Sequence, residues 1–292
     1  PFSKPIIAST IVLALLVVGV FAIVRMKQAP EPPKEQVDMS KDIGFKYEVI
    51  GKSLEGREIQ SYTYGAGSKH IVFVGGIHGG YEWNSVLLSY QFIDYLKKSP
   101  ALIPANLKVT VIPSANPDGL YKVTGKVGRF AVTDVNKSQA VLASGRFNAR
   151  DVDLNRNFDC KWKPTGTWQS KTVSAGSKAF SEPEALAIKT FAQENNPSAF
   201  VFWHSKSNAV YASECKAGIL PETLDIMNVY SRASGYKAVK SFDAYEVTGD
   251  AEGWLASVGI PAITVELETH ETLEWERNLA GIKALLEYYS LK

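Results

Sequence analysis

The sequence has no excess of charge of one sign and no internal repeat. Its 292 residues contain 32 Lys and Arg against 30 Asp and Glu, a formal net charge of +2, and these charges are scattered along the chain. A nucleic-acid-binding surface needs basic residues clustered on one face. The charge pattern therefore excludes an obvious surface of this kind, and we expect no nucleic-acid partner.

Long apolar runs are also absent, with one exception. The segment Ile6–Val24 has nineteen residues, of which Ser9 and Thr10 are the most polar. It is long enough to span a bilayer, and it lacks the polar stripe of a buried core helix. The sequence predicts a transmembrane anchor or signal segment over residues 5–25. The length of the run favours a retained anchor, although cleavage after Ala22 is compatible with the small residues there.

Cysteine is scarce, with only Cys160 and Cys215 in the chain. The two either form a disulfide bond or remain reduced thiols, and in a tethered domain the bond and an oxidising compartment are favoured. Arg25 and Lys27 follow the apolar run and favour a cytoplasmic domain instead, because positive residues usually stay inside. We give the cysteines more weight and expect a membrane-anchored or secreted protein with its main domain outside the cytoplasm.

Residues 26–42 are rich in proline and charge, which is typical of a semi-extended linker, so the folded domain is expected over residues 43–292. Apolar runs predict strands at Phe45–Ile50, Arg57–Tyr64, Lys69–Val74, Leu107–Ile112, Ala199–Trp203 and Ala262–Leu267. Helical spacing predicts helices at Ser85–Leu96, Pro183–Glu194, Glu222–Ser234, Glu252–Val258 and Leu273–Tyr289. This alternation predicts an α/β fold with a mixed, mostly parallel β-sheet and helices on both faces.

One long region has weak periodicity. Residues Tyr121–Ala179 are rich in Gly, Ser, Thr and Asn, and the preceding Asn116-Pro117-Asp118-Gly119 is a strong turn signal. We expect a turn followed by a long functional loop on a rigid scaffold.

Two histidines and a glutamate lie where predicted strands end. His78 and Glu82 follow the strand Lys69–Val74, and His204 follows Ala199–Trp203. Sites in open α/β sheets lie at such strand ends, and two His with one Glu form the ligand set of a catalytic zinc. No H-E-x-x-H helix is present, which excludes the commonest protease arrangement. The pair of strand ends favours a metal site over two isolated core histidines.

An arginine-rich stretch, Gly145–Phe158, lies between these strands. Arginine offers a planar fork of donors suited to gripping a carboxylate at two points, and asparagine adds a neutral donor. A solvated charged loop has the same composition, so composition alone does not decide between the two interpretations.

The motifs HGGYEW, NPDG, GRFNARDVDLNRNF, WHS and ITVELE occur in this order. In that order they closely resemble the zinc metallocarboxypeptidases of the pancreatic carboxypeptidase clan, from about Tyr47 to the C-terminus. The resemblance implies one zinc per chain and hydrolysis of the C-terminal peptide bond of peptides. It implies that the zinc ligands are His78, Glu82 and His204, and that the terminal carboxylate binds to Asn155 and Arg156. It also implies that Arg146 polarises the scissile carbonyl and that Glu266 is the catalytic glutamate. Tyr245 would cap the pocket for the C-terminal side chain.

One spacing departs from the family. Relatives usually place two residues between the first His and the Glu, whereas three lie between His78 and Glu82. A one-residue bulge at the helix start would absorb the difference, and Gly79-Gly80 supplies the backbone freedom.

The mechanism that the resemblance implies has a carboxylate take a proton from zinc-bound water and deliver it to the leaving amine. Glu266 has the family position for this base. Glu268 is the competitor, since it is expected two residues later on the same strand face.

The resemblance also implies that the residue at the bottom of the pocket follows Tyr245 by several positions, and this stretch carries Asp250 and Glu252. An acid at the bottom of the pocket would favour a C-terminal Lys or Arg, or the amine of diaminopimelate in a cell-wall peptide. The same residues are equally typical of a helix N-cap.

Two other functions stay open. One is a murein-peptide amidase or deacylase on the same fold, which loss of the Asn155–Arg156 pair would favour. The other is a catalytically inactive peptide-binding module, which should lack a ligand or the base. His70 and His270 are expected to be surface or hydrogen-bonded residues without a role in the site.

Overall fold

The structure is a computed structural model that describes residues 44–292. The predicted transmembrane segment at 5–25 and the linker at 26–42 lie outside the described residues. Among the residues from 44 onward, no helix is both long and apolar enough to cross a bilayer.

The described part of the chain contains twelve strands and seven α-helices. The strands are β1 Lys46–Lys52, β2 Glu58–Tyr64, β3 Lys69–Val74, β4 Leu107–Ile112, β5 Thr165–Trp168, β6 Lys171–Ser174, β7 Ala199–Ser205, β8 Ala209–Ala212, β9 Glu214–Cys215, β10 Gly218–Ile219, β11 Lys237–Val239 and β12 Ala262–Leu267. The helices are α1 Trp83–Lys98, α2 Pro117–Thr124, α3 Gln139–Ser144, α4 Pro183–Asn195, α5 Pro221–Ser234, α6 Ala251–Ser257 and α7 Trp275–Ser290.

Eight strands form one mixed sheet in the order β1-β2-β4-β3-β7-β12-β8-β11. The four central strands, β4, β3, β7 and β12, are parallel neighbours. The antiparallel pairs lie towards the edges, where β1 pairs with β2, β2 with β4, and β8 with β12. This confirms the predicted mixed α/β sheet. Parallel central strands are expected to be covered on both faces, and the continuous apolar runs of β3 and β7 fit that position.

Alternate side chains of the central strands enter two separate cores. Phe73 and Trp203 pack on the side of α1, α5 and α7, where Phe92, Tyr230 and Leu285 are buried. The neighbouring Val72 and Phe202 point to the opposite side, towards α4 and α6. The period-2 alternation of the strands therefore places helices on both faces, as predicted.

Three strand predictions matched the structure at both ends, since β3, β4 and β12 have the predicted bounds. Two predictions in the loop region were wrong. Asn116-Pro117-Asp118-Gly119 begins α2 instead of forming a turn, because Asn116 accepts a hydrogen bond from Gly119 N and Pro117 occupies the first helical turn. The long loop contains α3 and the β5–β6 hairpin.

The sheet also brings the predicted site to one edge. His78 follows β3, His204 lies on β7 and Glu266 lies on β12, and these three strands are neighbours. In the parallel β7–β12 pair, Glu266 stands directly opposite His204. The carboxyl ends of the parallel strands therefore meet where ligands of open α/β sheets usually bind.

Candidate active site

Three buried side chains converge at the carboxyl ends of β3 and β7. His78 Nδ1 lies 2.8 Å from Glu82 Oε1 and 3.2 Å from His204 Nδ1. The other carboxylate oxygen, Glu82 Oε2, lies 3.0 Å from His204 Nδ1 in an ion-pair contact without hydrogen-bond geometry. Each side chain is at most 6% exposed. Glu82 thus points at both histidines.

The donor set fits zinc. One ligand atom from each of His78, Glu82 and His204 lies within 4.8 Å of the others. Ligands about 2.0–2.2 Å from one tetrahedral ion lie about 3.3 Å apart, which matches these separations. The two imidazole Nδ1 atoms face each other at 3.2 Å, and Glu82 Oε2 has no hydrogen bond. One cation bound between them would accept the lone pairs of all three atoms.

The longer His78–Glu82 spacing is absorbed by a tight turn. Residues Gly79–Glu82 form a 3₁₀ helix before α1, and Gly79 has a φ of 46°. A Cβ at Gly80 would lie 2.4 Å from the Cβ of Val123, so the turn packs too closely against α2 for any side chain there. The two glycines let the extra residue enter the turn while Glu82 still reaches the histidines.

A carboxylate lies at the second ring nitrogen of each histidine. Asp153 Oδ1 is 3.5 Å from His78 Nε2, and Glu252 Oε1 is 3.1 Å from His204 Nε2. Such carboxylates fix the tautomer and orientation of metal-binding histidines. Sequence reasoning missed Asp153, although its position two residues before Asn155 in the DVDLNRN motif was a signal.

These second carboxylates are held in the ionised form. Burial acts to raise the pKa of Asp153, but the Arg146 guanidinium together with His78 and Arg156 outweighs it and holds the pKa well below its usual range. Burial likewise acts to raise the pKa of Glu252, and the hydrogen bond and charge of His204 lower it overall.

All ten sequence-predicted site residues line a single cavity of about 630 Å³. Those residues are His78, Glu82, Arg146, Asn155, Arg156, His204, Tyr245, Asp250, Glu252 and Glu266. The volume lies in the range of small-ligand pockets. A cleft with polar and aromatic walls therefore surrounds the three converging side chains.

Glu266 lies inside this cavity, and its competitor lies outside. Glu266 Oε2 is buried without a hydrogen-bond partner, and burial raises the pKa of Glu266 to about 8, with the charge of Glu82 acting in the same direction. Glu268 follows the end of β12, is 59% exposed and pairs with Arg277 at 3.3 Å. The expectation that Glu268 shares the strand face of Glu266 was wrong, because the strand ends at Leu267.

Arg146 is held by carboxylates beside the converging side chains. Its Nε donates to Asp153 Oδ2 at 2.9 Å, and one terminal nitrogen lies 3.8 Å from Glu82 Oε1. The guanidinium carbon lies 4.8 Å from the ring centre of Trp168. A buried, oriented positive charge therefore faces the cavity next to the candidate metal ligands.

Asn155 and Arg156 occupy the 3₁₀ turn Leu154–Arg156 and are both buried. The two terminal nitrogens of Arg156 donate to the carbonyls of Asn155 at 2.6 Å and Thr167 at 2.8 Å, while Arg156 Nε has no partner. Asn155 donates to Glu252 and accepts from Ala251 N. The Nε of Arg156 is therefore a buried donor without a hydrogen-bond partner.

The remaining predicted residues lie at the side of the cavity formed by α6 and the segment before it. Tyr245 is half-buried, with its ring 4.8 Å from that of Phe242. Asp250 is the N-cap of α6 and accepts from Gly253 N at 2.7 Å. Burial raises the pKa of Asp250 to about 6, and the charge of Glu252 adds to this effect. Asp250 thus caps a helix and lines the cavity at the same time.

Cys160 and Cys215 form a disulfide bond, with Cα atoms 5.9 Å apart. This confirms the predicted pairing. Cys160 lies four residues after Arg156, and Cys215 lies on β9, which packs against α6. The bond therefore links the segment that carries Arg156 to the side of the cavity that carries Glu252.

An aromatic wall that the sequence did not indicate completes the cavity. The Tyr81 ring lies 4.6 Å from His270 and 5.1 Å from Trp168, and all three residues line the cavity. His270 Nδ1 is 2.9 Å from Ser205 Oγ. His70 lies elsewhere, buried in the sheet with its Nε2 2.8 Å from Thr110 Oγ1. Tyr81 lies between His78 and Glu82, so the lengthened spacing of this motif was the available signal.

Curated relatives include peptidases of two kinds. The gamma-D-glutamyl-L-diamino acid endopeptidase 1 of Lysinibacillus sphaericus is 24% identical over 238 residues, 75% of this chain and 59% of that protein. The carboxypeptidase B of Helicoverpa zea is 29% identical over 171 residues, 52% of this chain and 38% of that protein. The chain thus spans less than two thirds of the length of these relatives.

Solved structures share the fold. The murein-tripeptide amidase MpaA from Escherichia coli O157 superposes with a TM-score of 0.57 at 22% identity, over 83% of this chain and 90% of that one. Thrombin-activatable fibrinolysis inhibitor superposes with a TM-score of 0.65 at 20% identity, over 85% and 69%. The family model for zinc carboxypeptidases matches residues 35–279 of this chain. The chain belongs to the zinc carboxypeptidase family.

Proposed function

We propose that this enzyme hydrolyses the C-terminal peptide bond of peptides that end in a free carboxylate. The observation that carries the proposal is the shared cavity, in which Asn155 and Arg156 lie together with the three candidate zinc ligands and Glu266. A peptide whose terminal carboxylate sits at Arg156 would place its last peptide bond inside this cavity.

The carboxylate site rests on an unused donor. Arg156 is 3% exposed, its terminal nitrogens are partly satisfied by backbone carbonyls, and its Nε has no partner. A buried donor without a partner costs about 1–3 kcal/mol. A carboxylate oxygen relieves that cost and adds a charge-assisted hydrogen bond. Arg150, the other arginine of the motif, is 55% exposed and pairs with Glu182, so it is a poor competitor.

His78, Glu82 and His204 would hold the zinc, with Asp153 and Glu252 orienting the two imidazoles. When bound, zinc lowers the pKa of water and withdraws electron density from a carbonyl oxygen. These two effects are what a peptidase needs from its metal.

Glu266 is the proposed base. Its buried Oε2 takes a proton from the attacking water as the oxygen–carbon bond forms, and delivers the proton to the amine nitrogen as the carbon–nitrogen bond breaks. Burial raises the pKa of this carboxyl to about 8, whereas a nearby cation favours its ionised form. The opposed effects suit a group that must both accept and release a proton near neutral pH.

Arg146 is proposed to stabilise the negative charge that develops on the scissile carbonyl oxygen. Its guanidinium is buried, and the hydrogen bond to Asp153 fixes its direction before substrate arrives. A fixed donor in a cavity poor in water contributes strongly to transition-state stabilisation.

The acidic floor of the cavity supports a preference for basic C-terminal residues. Asp250 and Glu252 line the same cavity as Tyr245, the proposed cap. A Lys or Arg side chain, or the second amine of a diamino acid, would place a cation beside these carboxylates. Because Glu252 also bonds His204 and Asn155, Asp250 is the freer of the two for substrate.

A second candidate function is the cleavage of cell-wall peptides, as an amidase or endopeptidase. The acidic floor favours it, and so do relatives whose names specify a diamino acid or a murein tripeptide. The intact Arg156 site favours the C-terminal reaction over it. An inactive peptide-binding module is disfavoured, since every proposed ligand, the base and the carboxylate site are present in one cavity.

The disulfide bond supports the proposed location of the catalytic domain outside the cytoplasm, since such bonds persist in oxidising compartments. The membrane anchor at 5–25 stays a prediction.

The test of the proposed function is a panel of peptides that differ only in the C-terminal residue, together with a diaminopimelate-containing murein tripeptide. Release of a single C-terminal residue, fastest for Lys, Arg or diaminopimelate, supports the proposal. Cleavage confined to the murein peptide would support the second candidate, and no cleavage of any peptide by the zinc-loaded enzyme would contradict both.

A further inference from the structure

A small hairpin outside the main sheet contacts both functional arginines. Strands β5 and β6 form a separate two-stranded sheet, with Thr167 opposite Thr172 and Trp168 opposite Lys171. The hairpin is attached to the segment before the carboxylate site, because Asp153 N donates to Ser174 O at 3.0 Å.

The first contact is with Arg156. The carbonyl of Thr167 accepts from a terminal nitrogen of Arg156 at 2.8 Å. The side chain of Arg156 also lies directly on Gly166, where an added Cβ would be 2.7 Å from Arg156 Cδ. The φ of Gly166 is not positive, so the backbone conformation does not require glycine. The absence of a side chain instead leaves room for the side chain of Arg156.

The second contact is with Arg146. Its guanidinium carbon lies 4.8 Å from the ring centre of Trp168, a distance at which a cation is attracted to an aromatic face. Trp168 is 7% exposed, and the rings of Tyr81 and Phe147 pack against it at 5.1 and 5.8 Å. The indole is therefore fixed from two sides.

We infer that the β5–β6 hairpin is a positioning element, which sets Arg156 through Gly166 and Thr167 and sets Arg146 through Trp168. The inference rests on the proposed function for the roles of the two arginines. Arginine has several rotatable bonds, and holding its fork in advance reduces the entropy lost when a ligand binds. One rigid hairpin thus fixes the separation between the carboxylate site and the group that faces the scissile carbonyl.

The inference predicts that the two contacts affect different kinetic constants. Trp168→Leu removes the aromatic contact that holds Arg146 together with Asp153, so kcat should fall roughly three- to thirtyfold with little change in KM. Trp168→Phe keeps an aromatic face and should recover most of the loss. Trp275→Leu is the matched control, since Trp275 packs on Tyr95 and does not line the cavity.

Gly166→Ala should act on Arg156 instead. The new methyl group displaces the side chain of Arg156, so KM for peptides with a free C-terminus should rise about tenfold while kcat changes little. Thr172→Ala, an exposed change in the same hairpin, should leave both constants unchanged. If Trp168→Leu and Gly166→Ala change the same constant by the same factor, the hairpin only supports the fold and the inference is overturned.

A measurement independent of activity separates this inference from the proposed function. In NMR spectra of the enzyme, Trp168→Leu should shift the Nε–Hε signal of Arg146, because the ring current disappears, and leave that of Arg156 in place. Gly166→Ala should move only the Arg156 signal. Arg146→Lys and Arg156→Lys assign the two signals. If neither hairpin variant moves its arginine signal, the inference fails, even for an enzyme that removes C-terminal residues as proposed.

Discussion

At the scale of single residues, the site consists of charged groups whose neighbours decide their ionisation. Asp153 and Glu252 are buried carboxylates that remain charged because they face Arg146 and His204. Glu266 has no such partner at Oε2, and its pKa is raised by burial. We therefore propose different tasks for the two kinds of carboxylate: the first kind orients its neighbours, and the second transfers a proton.

Replacing Glu266 with Gln keeps the size of the side chain and removes the base. We expect kcat to fall by at least about a hundredfold, as is usual for loss of a general base, with KM little changed. Metal analysis should still find one zinc per chain, because the proposed ligands are other residues. Glu268→Gln is the control and should keep near-normal turnover. If the two variants show the reverse pattern, the base is Glu268.

His70 predicts a pH dependence of stability that is independent of catalysis. It is 3% exposed, and burial, followed by the charge of Lys108, lowers its pKa from 6.5 to about 3. In the unfolded chain the imidazole takes up a proton below about pH 6.5. Its contribution to the free energy of unfolding is therefore complete above about pH 6.5 and is lost as the pH falls towards 3.

The measurement is urea unfolding across this pH range. The difference in slope between wild type and His70→Gln should approach about 1.4 kcal/mol per pH unit, the value for one proton. Thr110→Val removes the hydrogen bond to His70 but keeps the imidazole, and should keep the wild-type slope. Parallel curves for wild type and His70→Gln would show that His70 does not titrate between the two states.

At the scale of elements, the predictability of each segment depended on its burial. Strands β3, β4 and β12 are mostly apolar and mostly buried, and their ends were predicted correctly. The hairpin strand Thr165–Trp168 has a polar, partly exposed sequence without alternation, so no local pattern indicated it. Asn116-Pro117 was misassigned because Asn before Pro is both a turn signal and a helix-start signal, and only the packing of α2 under Gly79-Gly80 selects the helix.

The disulfide bond is an element-scale constraint on the cavity. It closes a loop of 55 residues, for which chain entropy gives a stabilisation of about 4 kcal/mol. Replacing both cysteines with Ala should lower the thermal midpoint and also raise KM, because the segment carrying Arg156 is released from the side of the cavity carrying Glu252. Calorimetry and peptide kinetics on the same samples test both effects. A lower midpoint with an unchanged KM would mean that the bond stabilises the fold without shaping the cavity.

At the scale of the whole molecule, the sheet and one long connection build the site together. The parallel order of β3, β7 and β12 places His78, His204 and Glu266 at one edge. Strand ends in the sequence predicted this for the two histidines, and the family resemblance predicted Glu266. The position of Arg156 over the same cavity depends on the turn at Leu154–Arg156 and on the hairpin, which no local pattern revealed. The family motif predicted the residue, and only the fold shows its contacts.

The central claim at this scale is that the enzyme prefers peptide substrates with a free C-terminal carboxylate. The measurement is kcat/KM for a pair of peptides that differ only in a free or an amidated C-terminus, in wild type, Arg156→Ala and the matched control Arg150→Ala. Wild type and Arg150→Ala should strongly prefer the free acid. Arg156→Ala should lose at least about tenfold of that preference, since a hydrogen bond to a charged group contributes about 1.5–3 kcal/mol. Equal turnover of both peptides by wild type, or a wild-type preference in Arg156→Ala, would contradict the account.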